Sequence, residues 1–388
     1  MSPTGRKLPN GIQNFEKIRT EGYLYVDKTD LIWQIANDRQ NNFLSRPRRF
    51  GKSLLSDVLA CYFEGRKELF EGLKITALEE SQPNPWPHRA VLRFDFSGKE
   101  TASDLLKYLN RTLTIYERIY GHDSIDETLN DRLSTLLQNA YKMTGERVAV
   151  IVDEYDVPLQ HTLFKPDEHE RLIEVYRSFF PALKTSDFYL KCLFITGITK
   201  FTKLSLFSTL NNISILSTRP EYATLCGFTH QELIDNFMPE IKALGEKKGW
   251  TVAETLEALK DMYDGYHFSG DLSPETAVYN PFSVINALDD KDITNYWIST
   301  GGSQLLNQML TQSDNNGGNL DGITMSADII KTDDVSADDV PLFLYQSGYL
   351  TIKGAGTNQF TLGIPNKEVR QALYKVLLPN ALEKFIRV

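Results

Sequence analysis

The sequence predicts an α/β fold, a parallel sheet flanked by helices, and three apolar runs carry that expectation. Arg147-Val148-Ala149-Val150-Ile151-Val152 is continuous and ends in Asp153 and Glu154, the pattern of a central strand buried on both faces. Ala90 to Ser97 follows a turn bearing Pro83, Pro85 and Pro87, and Tyr189 to Thr196 precedes Gly197, so both read as strands bounded by breakers. Strand alternating with helical periodicity in this way packs helices on both faces of a parallel sheet.

The first strand in the chain leads into the segment richest in chemistry, Phe43-Leu44-Ser45-Arg46-Pro47-Arg48-Arg49-Phe50-Gly51-Lys52-Ser53. Gly-Lys-Ser at a strand-to-helix turn is a means of gripping a nucleoside triphosphate. Backbone N–H groups bend around the β- and γ-phosphates, the lysine reaches those phosphates, and the hydroxyl ligates Mg²⁺. Leu54, Leu55, Val58, Leu59, Tyr62 and Phe63 recur at helical spacing and Gly65 stops the run, which puts Lys52 and Ser53 in a helix's first turn. That helix end carries partial positive charge and free N–H groups. Nucleotide contacts are therefore assigned to Arg48, Arg49, Phe50, Gly51, Lys52, Ser53 and Leu54. The pattern G-x-x-x-x-G-K-S asks for glycine where this chain has Arg46. A residue before proline is pushed to the extended region, so Arg46 can close a strand while the loop turns without its first glycine. Taken alone, Gly-Lys-Ser is also a tripeptide that can open a helix by chance.

The paired acids supply the complement. Asp153 is positioned to hold Mg²⁺, directly or through water, and Glu154 to orient and deprotonate an attacking water. The bland alternatives are a helix cap for Asp153 and a solvated surface position for Glu154. The expected arrangement sets the lysine-bearing turn facing the acids across adjacent strands. The strand of Tyr189 to Thr196 leads to Thr196, Thr199 and Lys200, and Thr196 is the candidate γ-phosphate sensor. Its alternative is a threonine satisfying its own backbone at a strand end. Asp27 and Lys28 are weaker candidates for nucleotide contact.

These segments, with Leu8-Pro9-Asn10-Gly11, Tyr25-Val26-Asp27-Lys28-Thr29, Tyr263-Asp264-Gly265-Tyr266-His267-Phe268, Tyr279-Asn280-Pro281-Phe282 and Leu344-Tyr345-Gln346-Ser347-Gly348-Tyr349-Leu350, resemble the bacterial predicted AAA-ATPase-like family. That family is an additional-strand P-loop ATPase group often fused to a PD-(D/E)XK nuclease domain, and Arg-Pro-Arg-Arg-Phe-Gly-Lys-Ser is its form of the phosphate loop. The resemblance implies a P-loop NTPase fold, ATP binding and hydrolysis, with Lys52 on phosphate, Ser53 and Asp153 at the metal and Glu154 as base.

Composition agrees with that class. The 388 residues suggest two to three domains, and 41% hydrophobic content with 11% aromatics is ample for sizeable cores. A net charge of −9 argues against broad adhesion to nucleic acid or anionic membranes. Cys61, Cys192 and Cys226 lie in or near apolar runs without metal spacing, as buried reduced thiols of a cytoplasmic protein would. The polar stretch from Met1 to Asn10 lacks the apolar core of a signal peptide, and no segment approaches ~20 apolar residues, so no membrane partner is expected.

Boundaries follow from changes of rhythm. An ATPase core is expected over 1–222, with a fifth strand at Ile213 to Leu216. A mostly helical lid or small domain follows over 223–335, its helices opened by Thr229 with Glu232 and by Thr251 with Glu254. Residues Thr311 to Asn319 read as an exposed loop. A winged-helix-like segment occupies 336–388. There Asp339 caps a helix from Val340 to Ser347, Tyr349 to Ile352 pairs with Phe360 to Leu362, and Pro365 and Asn366 open another helix. Its Lys367, Arg370 and Lys375 are offset by Glu368 and Glu383, whereas duplex binding asks for a clear basic face.

Arg48 and Arg49 suit phosphate, Asp156 or a nucleic-acid backbone, or a solvated ion pair. Arg219 or Arg177 can serve as an arginine finger, which in trans would require a homo-oligomer. The six histidines show no zinc spacing, and His267 among aromatics reads as packed. The mechanism expected is hydrolysis of ATP to ADP and phosphate with Mg²⁺, moving the helical and winged segments. The competing reading is a nucleotide-gated switch whose partner, DNA or a nuclease domain, carries the output. No Asp…Glu-x-Lys constellation in a strand context stands out, so the chain itself is not expected to be a nuclease.

Overall fold

The structure is a computed structural model that describes residues 6–123, 125, 127–200, 213–297, 305–306, 308–309, 320–332 and 339–375. The expected loop at 311–319 and the residues Glu383, Arg387 and Val388 lie outside them. Contacts divide the chain into two compact units. One comprises Asp27–Ser45 and Lys52–Leu216; the other comprises Met1–Val26, Arg46–Gly51 and Ser217–Val388, as far as these are described.

The first unit is built on five parallel strands: β1 (Asn41–Ser45), β2 (Val91–Asp95), β3 (Val148–Asp153), β4 (Leu190–Gly197) and β5 (Ser214–Ile215). Their order is β2-β3-β4-β1-β5. The expectation that the lysine turn and the acids sit on neighbouring strands is therefore corrected: β4 is inserted between β1 and β3, pairing Asn41 with Leu193 on one side and Val150 with Leu193 on the other. The physical reason is that β4, with seven of its eight residues buried, needs a strand on each edge to satisfy its backbone.

Helices α1 (Lys52–Phe63), α2 (Ala102–Tyr120), α3 (Leu129–Thr144) and α4 (Pro166–Phe179) flank the sheet. Leu105, Leu109 and Leu113 of α2 and Leu133, Leu137 and Ala140 of α3 recur every three to four residues. They bury against Phe94, Val148, Val150 and Val152. The alternate β3 residues Ala149 and Ile151 are absent from that cluster, as a strand's period of two requires, and so is α1, which packs across β2, β3 and β4. Thr101 caps α2 by accepting from the Asp104 N–H, and Thr128 with Asp131 forms a capping box on α3. Strand β2 lies at the sheet edge, where the Tyr116 hydroxyl accepts from the Arg93 N–H at 2.8 Å and the Tyr108 hydroxyl from the Asp95 N–H at 2.6 Å.

The second unit contains α5 (His230–Lys248), α6 (Val252–Tyr263) and α7 (Pro281–Asp290) around Leu233, Phe237, Leu244, Leu259, Val284 and Leu288. Both capping boxes read from the sequence are present, Thr229 with Glu232 and Thr251 with Glu254. Beyond them come β6 (Ile323–Ser326), α8 (Val340–Gln346), β7 (Thr351–Ala355), β8 (Gln359–Gly363) and a helix over 367–375. Asp339 caps α8 and β7 pairs with β8. Strand β6, which adds antiparallel to β8, had no signal of its own in four residues after a polar stretch.

The three cysteines are free and buried, and burial pushes the Cys61 and Cys192 thiols up to about 12. Among the described residues no helix is long and apolar enough to cross a membrane.

Two measurements check this packing. Thr251→Ala removes the α6 cap and is expected to lower unfolding free energy by about 1 kcal/mol, seen as a lower urea midpoint at unchanged m-value. Glu368 is fully buried, accepting from the Ser283 hydroxyl at 2.8 Å and the Tyr296 and Trp297 N–H groups at 2.8 and 3.1 Å. Burial pushes its carboxyl up to about 7. The folded value lies above the unfolded one, so the protonated form is favoured in the folded chain. The penalty is absent below about pH 4.5 and grows as pH rises to about 7, on the order of 3 kcal/mol. Denaturation of wild type and Glu368→Gln across that window should show the decline in wild type and a flatter profile in the variant.

Candidate functional site

The candidate side chains of the sheet unit gather at the carboxyl ends of β3 and β4 and at the first turn of α1. Lys52 opens α1 and is only 4% exposed. A buried ammonium needs an opposite charge, and the Glu154 carboxylate answers it, with Nζ 3.8 Å from Oε1. Glu154 follows β3 in the left-handed region at φ 53°, a conformation costing a non-glycine residue on the order of 1–3 kcal/mol. Its N–H donates to Asp153 Oδ1 at 3.0 Å, and its carbonyl accepts from the Val157 N–H at 3.1 Å, which closes the turn.

Asp153 is fixed from the inserted strand. The hydroxyl of Thr196, wholly buried on β4, donates to the same Oδ1, and the Thr196 carbonyl accepts from the Tyr155 N–H at 3.0 Å. The structure thus brings together Lys52 with Glu154 and Asp153 with Thr196, while Ser53 and Leu54 are half-buried in the first turn of α1. The serine hydroxyl and aspartate carboxylate are hard oxygen donors of the kind Mg²⁺ takes. Among the described residues no cluster of three or more His, Cys, Asp or Glu could hold a metal by itself.

Asp156, the last residue of the acidic motif, is fully buried, with Oδ2 accepting from the Ile198 and Thr199 N–H groups at 3.0 and 2.6 Å, the Thr199 hydroxyl at 2.6 Å and the Gln160 amide at 2.6 Å. It anchors the chain leaving β4. Sequence reasoning offered Asp156 only as an arginine partner; its actual role depends on β4 lying beside β3, which no local signal reveals.

The Arg46–Gly51 part of the phosphate loop belongs to the other unit, and its Lys52 and Ser53 to the sheet unit. It takes left-handed backbone at Arg49 (φ 68°) and Gly51 (φ 90°), and not at Arg46, so the turn is made without glycine at its first position. Arg46 is 1% exposed, its guanidinium donating to the carbonyls of Ser217 at 2.7 Å and Tyr222 at 2.9 Å and lying 4.2 Å from the Phe268 ring centroid. Burial pulls this guanidinium below its ordinary value. Phe50 is buried, whereas Arg48 is half-exposed and Arg49 exposed.

Three further sequence candidates are Asp27, Arg219 and Arg177. Asp27 accepts from the Thr29 N–H and hydroxyl at 2.9 and 2.6 Å and from the Lys74 N–H at 2.8 Å, so both its oxygens serve the starts of helices Thr29–Asp38 and Lys74–Glu80. Arg219 precedes the short turn Pro220–Tyr222 and pairs with Glu221 at 3.4 Å. Arg177 is in the last turn of α4.

The sheet order, the glycine–lysine–serine turn and the strand-end acids define a P-loop fold of the ATPase kind. A family model described as "Predicted AAA-ATPase" matches residues 9–207. A relative described as "Uncharacterized protein in vnfD 5'region", from Azotobacter chroococcum mcd 1, is 33% identical over 381 residues, covering 96% of this chain and 70% of the relative. This chain belongs to the predicted AAA-ATPase family. Among solved structures, the ORC2 protein of Aeropyrum pernix in ADPNP–ADP complexes aligns over 94% of this chain and 98% of its own. The identity is 13% and the TM-score 0.29.

The anchor at Asp156 is testable through its neighbour. A Cβ at Gly197 would sit 2.4 Å from Asp156 Oδ1 and 2.8 Å from Tyr155 Cδ1. Gly197→Ala should therefore destabilise the chain by about 1–3 kcal/mol, measured by chemical denaturation.

Proposed function

We propose that this chain binds ATP with Mg²⁺ and hydrolyses it to ADP and phosphate. The observation that carries the reading is the pairing at the carboxyl edge of a parallel sheet: a buried lysine opposite the strand-end glutamate, beside an aspartate oriented by a buried threonine. In this reading the ammonium of Lys52 exchanges its carboxylate partner for the β- and γ-phosphates, and Glu154, released, orients and deprotonates the attacking water. Ser53 and Asp153 would hold Mg²⁺, which when bound would neutralise charge developing on the phosphates. Thr196 keeps the Asp153 carboxylate turned so that one oxygen is committed to the protein and the other is left for the cation. Backbone N–H groups of the turn through Gly51 and the first turn of α1 receive phosphate oxygens.

A second reading, a slow nucleotide-gated switch, is favoured by one observation: the Arg46–Gly51 part of the phosphate loop groups with the unit that carries Ser217–Val388, while Lys52 and Ser53 group with the sheet. Binding there would be felt by helices and strands that take no part in chemistry.

Multiple-turnover hydrolysis separates the two. Lys52→Ala is expected to lose at least about 100-fold in rate along with ATP affinity, since charge stabilisation dominates phosphoryl transfer. Glu154→Gln should lose about 100-fold or more in kcat while still binding ATP. Tight binding by the wild type with no turnover would favour the switch; no binding at all would overturn both.

A further inference from the structure

The three late motifs, Tyr263 to Phe268, Tyr279 to Phe282 and Leu344 to Leu350, have no part in the chemistry above, yet each meets the phosphate loop within their common unit. Phe50 lies edge-on to Tyr266 and Phe268, with ring centroids 4.8 and 5.4 Å apart. Phe268 also offers its face to the Arg46 guanidinium at 4.2 Å. The Arg49 guanidinium lies 4.8 Å from the Phe282 ring centroid. Gly348, at φ 87°, passes so near Pro47 that a Cβ there would stand 2.6 Å from the proline's own.

We propose that Phe268 is a positioning residue for nucleotide binding, holding Arg46 and Phe50 so that the phosphate loop keeps its left-handed turns at Arg49 and Gly51 before any ligand arrives. A loop with Arg in place of its first glycine has one flexible position fewer, and a left-handed arginine at position 49 persists only where the surroundings over-determine it, whereas Gly51 takes its positive φ without strain. Arg46 supplies half of that constraint through two backbone carbonyls. An aromatic face supplies the other half, because a desolvated guanidinium is held by a ring quadrupole where an aliphatic side chain would leave it unanswered. Phe268 touches both loop side chains, and it reaches them from a motif more than two hundred positions away. A pre-formed cradle binds tightly because the ordering cost is already met.

This rests on the nucleotide reading for its binding arm, but its structural arm does not. Phe268→Leu keeps an apolar side chain and loses the ring; Phe268→Trp restores a face. Hydrogen exchange is measured first on the full chain without nucleotide, then Kd for ATP and ADP and the steady-state constants. Phe268→Leu should exchange the amides of residues 49–51 at least about tenfold faster, with β3 and β4 unaltered. It should raise the Kd and KM for ATP about tenfold with kcat changed less than about twofold, and Phe268→Trp should recover most of both. Unaltered exchange at 49–51 in Phe268→Leu, or a kcat loss without a KM change, overturns the proposal. Faster exchange throughout β3 and β4 would show a merely structural role and overturn it as well. If wild type binds no nucleotide, the ATPase reading falls while the exchange data still decide whether Phe268 sets the loop.

Discussion

A lysine ammonium withdrawn from water is the constraint around which the sheet unit is arranged. Lys52 is nearly inaccessible, and an uncompensated charge in such a place is far costlier than a strained dihedral. The chain accepts left-handed backbone at Glu154, and the strand-end carboxylate that results faces the lysine. Once that position is fixed, the residue before it is fixed too. Asp153 receives the N–H of its neighbour and the hydroxyl of Thr196, so a single turn orients two carboxylates, one toward the lysine and one held by the neighbouring strand.

Much of this was legible in the residues. The apolar run before Asp153 could only be a doubly buried strand, and the strand-to-helix turn at Gly51 announced itself by composition. The capping boxes at Thr229 and Thr251 were visible because their chemistry is local: a side chain meets an N–H three residues away. Sheet order was not local. Whether β3 or β4 lies beside β1 depends on which strand can be buried on both edges, and the 100 or so residues between Ser53 and Asp153 are compatible with either. The same limit hid the role of Asp156, whose partners at Ile198 and Thr199 are more than forty positions distant. Asp27 has a partner of the same nonlocal kind: its oxygens serve two helix starts, one of them Lys74, which no pattern in the sequence ties to it.

Arg46 shows how a departure from a pattern can be informative. The position asks for glycine when the loop must bend there; here the bend is displaced to Arg49 and Gly51, and the position becomes available for a long side chain that ties the loop to Ser217 and Tyr222. An interior arginine with a planar fork and an aromatic under it cannot be replaced by lysine without losing one carbonyl and the stacking. The substitution exchanges backbone freedom for anchorage.

The tyrosine hydroxyls along β2 have a consequence for assembly. An uncovered outer strand offers a ladder of N–H and C=O groups that another polypeptide can join. On this border the N–H groups of Arg93 and Asp95 are already taken by Tyr116 and Tyr108, and the Arg93 side chain is drawn to Asp57 at 2.7 Å. Extending the sheet past β2 would mean stripping away both phenols, so copies of this chain that associate must do so through side-chain surfaces rather than by sharing a continuous ribbon on that flank.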